Sequence, residues 1–214
     1  MTNSVIDPPA PPPRMTLLLA FLLLLVTVPV AGGRLSRLES LRIRGLWLAA
    51  AAFAIQVVLV TIVPGGDETL HRVAHLVTYA LVAGCILRNL DIRFMWVVAA
   101  GGLLNLIAIA ANAGVMPASR SALRAAGLDP SSGEFANSDL VRNAHVGFLG
   151  DVFAIPAAWP GANVFSLGDA LMLLGAFLVL HAATDSRLFA AREGRRPRRR
   201  PAPTRPARPA PPAR

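Results

Sequence analysis

Five apolar runs, separated by loops whose arginines fall almost entirely on alternate sides, constrain this chain more than any other feature of it. They extend from Met15 to Ala31, Leu46 to Val63, Val73 to Leu87, Phe94 to Ala113 and Phe165 to Ala183. A helix that crosses a bilayer needs about 20 such residues. The third run is short and borrows Leu70 to Arg72. The expected fold is therefore all-α: a polytopic membrane protein with five transmembrane helices at 15–31, 46–63, 71–88, 94–113 and 165–183. A long extracytoplasmic loop, 114–164, separates the fourth helix from the fifth.

Arginine placement sets the expected orientation, because short loops rich in Lys and Arg stay on the cytoplasmic side. Arg34, Arg37, Arg42 and Arg44 follow the first run, Arg88 and Arg93 follow the third, and ten more follow the fifth. The opposite side receives Arg14, Arg72, Arg120, Arg124 and Arg142, the last three diluted by Asp129, Glu134, Asp139 and Asp151. The reading is a multi-pass protein of the bacterial cytoplasmic membrane, amino terminus outside and carboxyl terminus cytoplasmic. Trp47, Trp96 and Trp159 fall where indoles favour the interface. The first run is read as a retained anchor rather than a cleaved signal, since four arginines follow it directly.

All 21 basic residues are arginine, and ten of them lie in the segment 184–214, where they alternate with proline. That segment, like the proline-rich 1–14, is expected to be disordered. Beside a cytoplasmic leaflet it attracts anionic lipid. Nucleic acid would need the same charges, but no aromatic residues interleave the run, so it is disfavoured as a partner. Cys85, alone in the third run, reads as a small packing residue.

Leu41-Arg42-Ile43-Arg44-Gly45-Leu46-Trp47 and Leu90-Asp91-Ile92-Arg93-Phe94-Met95-Trp96 share Leu, Ile, Arg and Trp at a constant offset of 49. The same offset lays Gln56 over Asn105. A parallel duplication of helix pairs, second with third and fourth with fifth, follows as an expectation. Gln56, Asn105 and Tyr79 reach similar depth, with His75 one turn nearer the surface. They form either a polar path or ordinary interhelical hydrogen bonds. Gly84, Gly101 and Gly102 read as close-packing sites, since no strand precedes them. His71 and His75 share a helix face, but Arg72 stands where a zinc protease needs Glu, so no metal is expected. His181 reads as favouring the carboxyl end of its helix.

The long loop opens with Asn112-Ala-Gly114-Val-Met116-Pro117, a helix exit. A short helix from Ser119 to Ala126 is predicted, capped by Ser119 and stopped by Gly127. The apolar stretch 148–156 is too short to span and reads as interfacial. Ser166 and Asp169 suit the start of the last helix. Capping accounts for Asp169, whereas Asp151 has no such structural reason and is the strongest functional candidate.

These residues together resemble a known family. Gly32-Gly33-Arg34-Leu35-Ser36-Arg37-Leu38, the Leu41 to Trp47 segment, Asn112 to Pro117, Leu149-Gly150-Asp151 with Pro156, and Phe165-Ser-Leu-Gly-Asp169 look like the bacterial membrane family termed domain of unknown function 5317. The resemblance covers Met15 to Ala183. It implies the architecture and a bacterial membrane, and no activity. No nucleotide loop, metal cluster or nucleophile motif accompanies it, so neither a cofactor nor a catalytic residue is assigned. The leading expectation is a non-enzymatic protein whose outer loop binds a partner protein, lipid or small ligand through Asp151, Asp169, Asn112, Asn105, Gln56, Tyr79 and His75. Behind it stand a small permease, assembled as a homo-oligomer, with Gln56, Tyr79, Asn105 and Asn112 along a polar path, and an enzyme on a lipid-linked substrate acting through Asp151 and Asp169.

Overall fold

The apolar runs fold as helices, the third longer than expected and the other four shorter over the described residues. In the computed structural model, described over residues 16–61, 68–128, 138–139, 144–159 and 161–190, α1 spans Thr16–Val30, α2 Leu46–Thr61, α3 Glu68–Leu87 and α4 Met95–Ala111. A short α5, Arg120–Ala125, precedes α6, Leu167–Ala183, and α7, Arg187–Ala190. Among the described residues no helix is both long and apolar enough to cross a membrane. The five transmembrane helices expected from the sequence are therefore not supported.

The reason lies at the helix ends. At 15 to 17 residues, α1, α2, α4 and α6 reach only about 22–26 Å against a hydrocarbon core near 30 Å. Apolar residues beyond them do other work: Ala31 and Gly32 turn out of α1, Asn112 closes α4, and Phe165 sits in a strand. Only α3 reaches 20 residues, and its first half carries Glu68, Thr69, His71, Arg72 and His75. The proline-rich 1–14 and most of the arginine-rich tail lie outside the described residues.

Two antiparallel helix pairs form the body. In the first, Gln56 of α2 meets His75 and Thr78 of α3, and Leu48 lies beside Gly84. In the second, Asn105 of α4 meets Ser166 and Asp169 at the start of α6, and Val98 lies against Gly175. Glycine makes that second crossing tight. A Cβ on Gly101 would meet the Gly168 carbonyl and the Met172 backbone, one on Gly168 would strike Asn105, and one on Gly175 would come within 2.6 Å of Val98. Gly102, by contrast, has nothing within 4 Å, so of the three glycines expected to pack closely Gly101 alone does so to the exclusion of a methyl. α1 meets α6 where both helices end, with Thr27 beside His181 and Gly33 beside Thr184.

The described residues between 112 and 166 fold as a cap over one end of these pairs. α5 forms where the sequence predicts it: the Ser119 hydroxyl accepts from the Ala122 N–H at 3.1 Å, and Gly127 ends it at φ +67°. β1 (Met116–Pro117) pairs in parallel with β2 (Ser138–Asp139). β3 (Phe153–Ile155) pairs antiparallel with β4 (Asn163–Phe165), placing Phe153 opposite Phe165 with ring centroids 5.4 Å apart. The stretch 148–156, expected to lie in an interface, holds the end of a single 3-10 turn (Gly147–Leu149), the bridging Asp151 and one arm of this hairpin. Ala118, Ala122, Leu123, Ala126 and Val164 form the cap's own small core. Met116 and Leu149 join Ala108 and Ile109 of α4, with Tyr79 packed against them, and so seat the cap on the helices.

Candidate functional site

Under the cap, polar side chains from α3, α4, α6 and the cap itself converge. Asn105, buried in mid α4, donates from Nδ2 to Asp169 Oδ1 at 2.7 Å and accepts at Oδ1 from the Ser166 hydroxyl at 2.8 Å. Ser166 and Asp169 complete a capping box, with the Asp169 N–H donating to Ser166 Oγ at 2.9 Å and the Ser166 N–H to Asp169 Oδ2 at 3.0 Å. These four bonds close a ring in which each member satisfies another, as buried polar groups require. The capping role expected for Ser166 and Asp169 is found, and Asn105 is built into it.

Tyr79 approaches from α3. Burial pushes its phenol pKa above the ordinary value, with the charges of Asp169 and Asp151 adding to the effect. The phenol therefore stays neutral and remains a hydrogen-bond donor. Asp151 is 5% exposed and held at its backbone from both sides: its N–H donates to the Pro117 carbonyl at 2.8 Å, and its carbonyl accepts from the Ser119 N–H at 3.0 Å. This bridge between chain segments about thirty residues apart fixes where its carboxylate lies. Gly150 next to it has no room for a side chain, because a Cβ there would collide with Pro117.

Other expected site residues go elsewhere. Gln56 Nε2 lies 3.0 Å from both His75 Nδ1 and Thr78 Oγ1, in a separate half-buried cluster between α2 and α3. Asn112 clasps the cap: Nδ2 donates to the carbonyls of Ala108 and His145 at 2.7 and 2.8 Å, and Oδ1 accepts from the His145 N–H at 2.9 Å. Hence Tyr79, Asn105, Asp151 and Asp169 come together, whereas Gln56 with His75, and Asn112, serve two other joints. Among the described residues no three His, Cys, Asp or Glu side chains gather as a metal site.

Two joints escaped sequence reasoning. Asn89 repeats the Asn112 clasp at the opposite end, donating from Nδ2 to the Cys85 and Arg44 carbonyls at 2.7 and 2.8 Å while Oδ1 accepts from the Arg44 N–H at 2.8 Å. The available signal was an asparagine just past a helix end, where its amide reaches back one turn to the fourth preceding carbonyl. His181 stands in the last turn of α6, as expected, and is wholly buried there against Thr27, a contact the sequence did not announce. Burial pushes its imidazole below the ordinary pKa.

A family model described as a family of unknown function, DUF5317, matches residues 40–181. That stretch contains both helix pairs, the cap and all seven expected site residues. No curated protein and no solved structure matches the chain.

Proposed function

The chain belongs to the family of unknown function DUF5317, so its role has to be argued from its own geometry, and we propose that it is a non-enzymatic lipid-binding protein of the bacterial cytoplasmic membrane. The observation that carries this reading is that large apolar side chains stand exposed on the helices while polar side chains are buried at their joints. The largest fully buried side chains are Leu123, His181, Val28, Asn89, Thr184, Ser166 and Ser186, most of them polar. Meanwhile Val26, Val30, Phe53, Val73, Trp96 and Leu103 are each more than half exposed. A protein solvated by water buries most of its large apolar side chains, and so many left exposed mark a surface that something else covers. Glycine crossings joined by hydrogen-bonded polar side chains are what hold helices together where the surroundings are themselves apolar. The reading asks that acyl chains cover the outer helix faces, and it requires no individual helix to span a bilayer.

Charge supports the same assignment. Arg34, Arg37, Arg42, Arg44, Arg88 and Arg93 lie around the end of the bundle away from the cap, with the exposed indoles of Trp47 and Trp96 beside them. Indoles and arginines together suit an interface with anionic headgroups. At the other end Asp151 of the cap lies near the neutral Tyr79 phenol, and this pair, rather than Asp169, whose two oxygens are held in the Asn105 ring, fits a hydroxyl-bearing polar group of a bound lipid. The Asn105 ring and the Asn112 clasp are engaged by protein partners, and this favours a binding role over a permeation path.

The test is native mass spectrometry of detergent-purified wild type and Asp151→Asn, paired with flotation on phosphatidylglycerol vesicles. Wild type is expected to float and to retain a defined lipid adduct, and Asp151→Asn to float equally while losing at least about tenfold of the adduct, a loss near 1.4 kcal/mol. Protein that stays monodisperse without detergent, neither floating nor carrying lipid, would overturn the proposal.

A further inference from the structure

At the joint between α1 and α6, the Thr27 hydroxyl gives its one proton to the Leu24 carbonyl at 2.6 Å. Its contact with His181 Nε2 at 3.0 Å must therefore be accepted by Thr27 Oγ1, which places the imidazole proton on Nε2. Nδ1 is then a bare lone pair. His181 is 0% exposed, and among the described residues its Nδ1 has no hydrogen-bond partner. The Phe177 ring lies 4.2 Å away between centroids, and Val28 and Thr184, both fully buried, belong to the same joint.

Ser186 adds a second weak point. Its N–H donates to the His181 carbonyl at 3.2 Å, yet its Oγ is as buried as the imidazole and also without a partner among the described residues. A joint with two unsatisfied polar atoms loses little when it opens. The surroundings disfavour a further positive charge. α1 carries no titratable residue, and on the segments packed against the joint stand Arg34, Arg37 and Arg187, with the acids Glu39 and Asp185. Asp185 is already paired with Arg37, and the Arg187 side chain lies along Gly32.

We propose that His181 is a proton-sensitive latch: neutral, it holds α1 on α6 through Thr27, and a second proton, on Nδ1, releases α1. Adding that proton creates a cation in a closed site with no acceptor facing it among the described residues, and the joint opens to hydrate it. The backbone stitches next to it, Arg34 N–H to the Thr184 carbonyl at 3.0 Å and Arg187 N–H to the Ala31 carbonyl at 2.9 Å, open with it. This inference is independent of what covers the outer helix faces.

Spin labels on the full chain test it, using Val26→Cys on α1 and Leu174→Cys on α6, both exposed positions, in a Cys85→Ala background. Double electron–electron resonance should give one short distance at pH 7.5. On acidification to pH 5 a longer population should grow from a minor state of roughly a tenth or less to the majority. His181→Gln keeps an amide donor for Thr27 but does not titrate, so it should stay closed at both pH values. Thr27→Val removes the acceptor and should raise the open fraction at every pH. A wild-type distance that holds to pH 5, or a His181→Gln variant that opens with the wild-type midpoint, would overturn the latch. Nitrogen-15 shifts of His181 supply a readout that needs no variant: an Nδ1–H tautomer at pH 7.5 would also refute it.

Discussion

The α2–α3 and α4–α6 pairs begin alike and end differently. Gly45 before α2 and Phe94 before α4 both sit at φ +69°, and each accepts a backbone bond from the residue three further on, Leu48 at 2.8 Å and Val97 at 3.0 Å. The separation is 49 residues in each case, the offset at which the sequence repeats. Gln56 and Asn105, aligned by that offset, each bond the other helix of their pair. The divergence lies in closeness. Asn105 is buried against Gly168 at a crossing that three glycines bring close, whereas Gln56 is half-buried and Gly84, the glycine facing α2, has only Leu48 near it at 3.6 Å. One plan thus gives a close pair that holds most of the cap and a looser one that meets it through Tyr79.

Substitution at glycine should break this comparison most visibly. Gly168→Ala would drive a methyl into the Asn105 side chain, which its own hydrogen bonds hold in place, and into the Gly101 carbonyl, which is backbone and cannot yield. A loss of about 3 kcal/mol is expected, read as a lowered midpoint in equilibrium unfolding followed by circular dichroism. Gly102→Ala, one residue from Gly101 but facing nothing within 4 Å, should instead stabilise by roughly 0.5–1 kcal/mol through helix propensity. Equal effects would mean that the crossing is not as close as the geometry requires.

The polar residues sharpen the same contrast. Asn105→Leu strands the Ser166 hydroxyl and one Asp169 oxygen in a buried site and should destabilise by about 2–3 kcal/mol. Gln56→Leu, at a half-buried position whose partner Thr78 keeps its own bond to the His75 carbonyl, should cost about 1 kcal/mol or less. Matching losses in the two variants would place the pairs on an equal footing and remove the distinction.

Acid should separate α1 from both pairs. The folded His181 pKa lies below the ordinary 6.5, so as pH falls below about 6.5 the unfolded chain binds a proton that the folded chain does not. Stability contributed by the neutral ring is complete above that value and is lost on acidification. In unfolding curves between pH 7.5 and 5, wild type should weaken more than His181→Gln, and identical slopes would assign the acid sensitivity to another group.

Much of this was legible in the sequence wherever a local rule acts alone. Ser119 and Gly127 delimit α5 because a cap and a left-handed stop need only nearby backbone, and Ser166 with Asp169 announce α6 for the same reason. Helix length was not legible. An apolar residue reads alike in a helix, in the β4 strand or in a turn, so Phe165 and Ala31 counted toward spans that the structure ends earlier. The site was half legible. Asn105 and Tyr79 were visible as isolated polar residues in apolar runs, but their meeting with Asp151 depends on a bridge between Ala118 and Asp151 that no local pattern encodes. Asn89 and His181 were missed as joints because their partners are backbone and a lone threonine, neither of which leaves a motif.

The smallest expected effect tests the shared origin of the two pairs. Gly45 adopts a left-handed conformation at no steric penalty, and Gly45→Ala should lose about 1 kcal/mol from the backbone, since the atoms nearest the new methyl are the flexible ends of Arg88 and Leu48 at 3.2 and 3.3 Å. Phe94 holds the same conformation despite its side chain, packed against Phe189 at 5.2 Å with the rings tilted by 43° and the Arg93 guanidinium over it at 4.8 Å. Phe94→Gly therefore relieves backbone strain while giving up ring contacts of about 0.5–1.5 kcal/mol, and the two should nearly cancel. A measured pair of roughly 1 and 0 kcal/mol would identify the left-handed residue as the element common to both helix starts. A free Gly45→Ala with a costly Phe94→Gly would instead mean that the second start is held by α7, and that the matching dihedrals arose separately.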